Sequence, residues 1–149
     1  MDELTQFLQT QKILQIAPQS DEPWIANVLM GCNSPKKLYF VGSPATRYGQ
    51  LLTENKRLAF ATAWHQQDNH LDRKGIQGTG TAHFSTDETE IVEGVTLHNQ
   101  KYPEFAERIT TDWVKENERG SGVWVITPDY IKFWNDELYG QDGSKEFTF

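Results

Sequence analysis

The chain has 149 residues, with 14 Lys and Arg against 21 Asp and Glu, a net charge of −7 and a single cysteine, Cys32. One domain spanning 1–149 is expected, large enough to bury a core without covalent staples. The scattered basic residues leave no electrostatic footprint for nucleic acid, and one cysteine excludes an internal disulfide or a multi-cysteine zinc site and fits a reducing compartment.

The amino terminus, MDELTQFLQTQK, is polar and acidic, unlike a secretory leader, and no segment has the length of a membrane span. The expected location is therefore cytoplasmic. Leu4, Phe7, Leu8, Ile13 and Leu14 predict a short amphipathic helix over 2–14 that closes one end of a barrel. A turn over 18–23 leads to a first strand over 24–30, and NSPKK is a hairpin turn into a strand carrying Leu38, Phe40 and Gly42 on one side and Tyr39, Val41 and Ser43 on the other. Ser43 followed by Pro44 is a helix-start signature and places a helix over 43–55. Residues 57–65 alternate Leu58, Phe60, Thr62 and Trp64 with Ala59, Ala61 and Ala63. The alanine face admits close approach of a helix or of a flat ring.

Residues 66–74 form a polar loop. Residues 75–85 form a strand with Gln77, Thr79, Thr81 and His83 on one side, whose glycines mark a bend or a close backbone approach. Asp87 and Glu90 read as a capping box for a helix bearing Ile91, Val92 and Val95. A second helical piece resumes from Pro103, a loop covers 115–122, strands occupy 123–126 and 130–134, and the tail adds a last short strand.

Chemistry concentrates at the junction after the second strand. A helix start with unpaired N–H groups and its positive dipole end, joined by the Ser43 and Thr46 hydroxyls and the forked Arg47 cation, suits a phosphate. An ordinary capped helix with a solvated arginine accounts for the same residues. His65, His70, His83 and His98 show no metal-ligand spacing, and no nucleophile elbow or P-loop is present. A phosphorylated, flat cofactor would use the junction, the polar strand residues and the many aromatics.

The strings PWIANV, LYFVGSPATRYGQLLTEN, RLAFATAWH, GIQGTGTAHF and GVWVITPDYIKFW, in this order, resemble the pyridoxamine 5′-phosphate oxidase-like FMN-binding split barrels, and among them the YhbP-like branch. The resemblance spans nearly the whole chain. It implies a β-rich α+β fold, a small antiparallel split β-barrel with flanking helices, and a homodimer holding FMN in grooves between subunits. It also implies cofactor contacts at Ser43, Thr46, Arg47, Tyr48, Gln50, Trp64, Gln77 and Thr79, with Tyr48 standing where many members carry lysine.

The chain departs from the vitamin oxidases at Ala26, where they carry arginine, and after Trp134, where NDELYGQDGSKEF replaces a basic closing motif. Oxidation of pyridoxamine or pyridoxine 5′-phosphate is therefore not expected. Two functions are compatible with these residues: a flavin-dependent oxidoreductase acting on another small molecule, and a non-catalytic carrier, sensor or scavenger of flavin, haem or another tetrapyrrole.

Overall fold

The computed structural model describes residues 1–117 and 120–149, His65 by its backbone alone. Leu4, Phe7 and Leu8 form the buried face of helix α1 (Glu3–Thr10), whose N-cap Asp2 accepts from the Thr5 amide at 2.8 Å. The helix ends earlier than the apolar spacing predicts. Ile13 and Leu14 open strand β1 (Ile13–Pro18) instead, in which Leu14 and Ile16 are fully buried and alternate with more exposed neighbours. The Lys101 ammonium donates to the carbonyls of Leu8 and Gln11, at 3.3 and 2.6 Å, and so satisfies acceptors that continued helix would have used.

The expected strand over 24–30 is shorter, β2 (Ala26–Leu29), and a further short strand, β3 (Gly31–Ser34), forms the hairpin with β4 (Lys37–Gly42). Helix α2 (Arg47–Glu54) begins three residues later than Ser43-Pro44 suggests, because the Ser43 carbonyl closes a turn on the Thr46 amide and hydroxyl and leaves Thr46 as the N-cap. Gly49 is obligatory in its first turn. A Cβ there would lie 2.6 Å from the Pro44 carbonyl oxygen.

Strand β5 occupies Arg57–His65 as its alternation predicts, and β6 (Arg73–Phe84) pairs with it in continuous register from Arg57↔Thr81 to His65↔Arg73. Gly78 faces inward, where a Cβ would meet the Phe60 ring at 2.4 Å, so the expectation of close approach within this strand is met. Helix α3 (Glu88–Lys101) is capped by Asp87, and a 3₁₀ turn at Pro103–Phe105 precedes α4 (Thr111–Glu116) in place of one continuous second helix. The loop expected over 115–122 includes Glu118 and Arg119, which lie outside the described residues.

The two strands predicted after it are one, β7 (Gly122–Asn135), with a register shift between Thr79 and Gly80 opposite Pro128. A proline lacks the ladder N–H, and the irregularity falls where that donor is missing. After α5 (Asp136–Tyr139), β8 (Ser144–Thr148) pairs with the distal half of β7.

All pairings are antiparallel, in the order β2-β1-β5-β6-β7-β4-β3, with β8 added on β7. The curled sheet encloses one core, built from residues including Leu14, Ile16, Phe40, Phe60, Trp124 and Phe133, and α1 plugs its end through Leu4, Phe7 and Leu8. A second core lies outside the sheet, where Ile91, Val95, Ile109 and Val114 from the α3–α4 region cover Tyr39, Val123 and Val125. Among the described residues no helix is long and apolar enough to cross a membrane.

Candidate functional site

The β4–α2 junction is tightly folded on itself. Thr46 Oγ1 donates to the Ser43 carbonyl at 2.7 Å and accepts from the Gly49 amide at 3.1 Å, while the Ser43 hydroxyl accepts from the Ala45 amide at 3.1 Å. Arg47, the first helical residue, turns outward, and its guanidinium lies 4.1 Å from the centroid of the Trp24 ring. The groove beside it, about 440 Å³, is also lined by Asp21, Glu22 and Glu54, so the cation sits among carboxylates. Tyr48 points the other way. Its ring packs 5.8 Å from Phe40 and 6.3 Å from Trp124, and burial pushes its hydroxyl pKa up. Gln50 is exposed and donates to the Ala45 carbonyl at 3.3 Å.

Trp24 joins the junction to a second feature through its neighbour Ile25. Side chains of a strand alternate between faces, and the alternation that buries Leu58, Phe60 and Thr62 in β5 turns Ala59, Ala61 and Ala63 outward. Among the described residues no helix covers them, and Ala59 and Ala63 are exposed. Gln15, Ala17, Ile25, Ala59, Ala61 and Gln77 line a shallow, mostly apolar depression of about 220 Å³ on β1, β5 and β6. Ile25 is 62% exposed and Trp24 38%. Gln77 stands opposite Ala61, and Thr79 opposite Ala59. The Thr79 hydroxyl donates to Asp129 at 2.7 Å, and Arg57 also reaches Asp129; these bonds hold that carboxyl below its ordinary range.

Trp64 is separated from Gln77 and Thr79. It shares the inward parity of Phe60 and Thr62, lies under the Lys74 ammonium at 5.1 Å, and lines a different cavity of about 570 Å³ with Phe7 and Gln11 of the α1 end. The structure thus gathers Ser43, Thr46 and Arg47 at one junction and Gln77 and Thr79 on the neighbouring open face, and places Tyr48 and Trp64 against the main core.

Residues that sequence patterns did not single out are Trp24 and Ile25, which bridge the two features, and Gln15 and Ala17, which complete the depression. The small side chain at Ala17, paired with Ala59 across strands, was the available signal. Among the described residues no group of His, Cys, Asp or Glu is arranged to hold a metal ion. Burial pushes the Cys32 thiol up to about 11, an inert core position.

No protein-family model matches the chain, and no curated protein matches it in sequence. Solved structures do. A haem-binding protein from Mycobacterium smegmatis superposes with a TM-score of 0.73 at 15% identity, over 99% of this chain and 59% of that one, so this chain spans under two thirds of its length. A candidate 5-nitroimidazole antibiotic resistance protein from Bacteroides thetaiotaomicron gives 0.68 at 12% identity, over 88% and 81% of the two chains. A candidate pyridoxamine 5′-phosphate oxidase from Listeria innocua gives 0.66 at 15% identity, over 90% and 97%. At these identities the likeness establishes the fold: the chain is an antiparallel split β-barrel with flanking helices, as these proteins are.

Proposed function

We propose that the protein binds FMN as a homodimer and serves as a flavin-dependent oxidoreductase for a small molecule other than pyridoxamine 5′-phosphate. The observation that carries this reading is the open alanine face. Alanine contributes little β-propensity, and three alternate alanines facing solvent on β5, with Ala17 beside them, leave a flat recess rather than a packed surface. A planar ring system can lie against such a recess at van der Waals distance, with the Gln77 amide at its edge.

The residues fit the cofactor in two parts. Ala17, Ala59 and Ala61 would accept the ring, and Arg47 at the start of α2, which now lies over Trp24, would hold the phosphate by a charge-assisted contact. Asp21, Glu22 and Glu54 temper that attraction. When bound, flavin supplies hydride transfer, and the protein binds and orients the ring and excludes water from it. Exposed Ile25 lines the recess, Trp24 adjoins it in sequence and exposed Ile13 shares the outward parity of Gln15 and Ala17, and a second copy of the chain would bury them and close the site. Placement within the YhbP-like branch rests on the short motifs W-x-A-N, T-R-x-x-Q and I-K-F.

The second reading, a carrier of haem, is favoured by the haem-binding and haem-storage proteins among the structural relatives. Within this chain the recess is lined by no His, Cys, Met or Tyr that could ligate an iron. Visible absorption of the purified protein after mixing with FMN or haemin separates the readings. A flavin spectrum that stays with the protein on gel filtration supports the proposal, and retention of haem alone overturns it.

A further inference from the structure

On the far side of Gln77 from the alanines, the open face continues onto β7. The register sets Ala61, Gln77, Lys132 and Glu146 in one cross-strand row, from β5 through β6 and β7 to β8. Gln77, Lys132, Trp134 and Ser144, together with Arg73, line a recess of about 240 Å³ that shares Gln77 with the alanine depression. The Trp134 ring lies across β6, since a Cβ on Gly75 would come within 2.2 Å of it.

The charges in this recess are unequal in their partners. Arg73 is neutralised by Asp136 at 2.8 Å and Asp142 at 2.6 Å. Glu146 stands directly opposite Lys132, and burial together with the Glu146 carboxylate pushes the neighbouring Tyr130 hydroxyl pKa up. Lys132, half-buried, makes no ion pair or hydrogen bond with the described residues. Here Lys132 lines a recess that it shares with the Gln77 amide, the Trp134 indole and the mutually neutralised Arg73, Asp136 and Asp142.

We infer that Lys132 is a positioning residue for the electron-poor end of a flat cofactor seated on the alanine face, placing a positive charge beside the ring edge where negative charge gathers on reduction. This rests on the reading that the alanine recess holds FMN. Ala61 and Lys132 are two strands apart, about 9.5 Å at ordinary inter-strand spacing. A ring of three fused six-membered cycles lying over Ala59 and Ala61 therefore extends past Gln77 toward the ammonium. Two electrons and one proton convert the neutral oxidised ring to a form carrying a negative charge on its pyrimidine edge. A nearby cation stabilises that form over the oxidised one, and Gln77 supplies an amide to the same edge. Lys132 is thereby expected to raise the affinity for reduced FMN more than that for oxidised FMN.

The test compares wild type, Lys132→Met and Lys132→Arg, each loaded with FMN and titrated with dithionite beside a reference dye. Because Lys132 has no partner among the described residues, neither substitution is expected to alter thermal unfolding of the apoprotein. Lys132→Met should reduce the preference for reduced over oxidised FMN about tenfold, lowering the midpoint potential by about 30 mV for a two-electron couple. Lys132→Arg should restore most of the shift. Equal potentials in wild type and Lys132→Met, with FMN bound in both, overturn the role of Lys132 while leaving the ring seat intact. Failure of the wild type to bind FMN overturns the seat and this inference together.

Discussion

Strand β6 runs beneath two contrasting regions of the sheet's outer face. At its far end His83 lies under α3, where nearly every polar group has found a partner. Glu90 accepts from Lys37 at 3.1 Å and from Ser85 at 2.9 Å, and lies 2.9 Å from His83 Nε2. One turn on, Glu93 accepts from Tyr39 at 2.6 Å and from Asn33 at 2.8 Å. Burial by itself would raise the Glu90 carboxyl, but its hydrogen bonds to His83, Ser85 and Lys37 hold it at about 2. Toward the middle of the strand, Gln77 and Thr79 stand among bare alanines, an exposed Ile25 and Lys132, which is unpaired among the described residues. One region is finished by its own helix and the other is left open. The contrast teaches that polar satisfaction marks where the chain supports its own fold, and small apolar side chains beside a spare cation mark where a ligand belongs.

Substitutions in the two regions should therefore separate stability from binding. The largest loss is expected from Gly78→Val, which forces a branched side chain into the Phe60 ring and the Tyr130 carbonyl and should cost about 3 kcal/mol in denaturant unfolding. Glu90→Ala should cost about 2 kcal/mol by removing three partnered bonds, with FMN affinity unchanged.

The Glu90 carboxyl also predicts an acid response. Its pKa is depressed on folding, so its contribution is fully present above the ordinary value of 4.5 and is lost as the pH falls toward about 2. Glu90→Gln should flatten stability across that window, and an unchanged acid limb would remove Glu90 from the account. Arg47→Ala should leave unfolding unaltered but weaken FMN binding about tenfold to a hundredfold, the worth of one charge-assisted bond of roughly 1.5 to 3 kcal/mol. The smallest effect is expected at Asp87→Ala, about 1 kcal/mol for one N-cap at 2.9 Å, again without an effect on binding.

Much of the fold was legible because periodicity and caps are local. The limits of β5 follow from strict alternation, and Asp87 announces α3. Glu90, however, does not return its side chain to the Asp87 amide as a capping box would. Ser85 takes that amide at 3.2 Å, and Glu90 is drawn to the sheet. Strand β1 was hidden because Ile13 and Leu14 prolong the apolar spacing of α1, and only the distant Lys101 shows why the helix stops. The continuity of β7 was hidden by Pro128, whose cost the bulge absorbs.

The candidate site was legible as a set of residue types and less so as directions. Ser43 and Thr46 lie at the predicted junction, but which way Arg47 turns depends on Trp24, remote in sequence. Parity along β5 could have set Trp64 apart from Gln77. Lys132 could not have been found this way, since the register places Glu146 directly across from it and only side-chain directions decide that the two do not pair.

The most direct test of the central claim, that the open alanine face seats a flat ring, is a fluorescence titration of FMN into wild type and into Ala61→Trp. Ala61 is outward-facing and half-buried, so an indole there fills the recess without entering the core. The account predicts saturable quenching of FMN by the wild type and its loss, by about a hundredfold in Kd, in a variant with unchanged unfolding. Equal quenching by both proteins would contradict it.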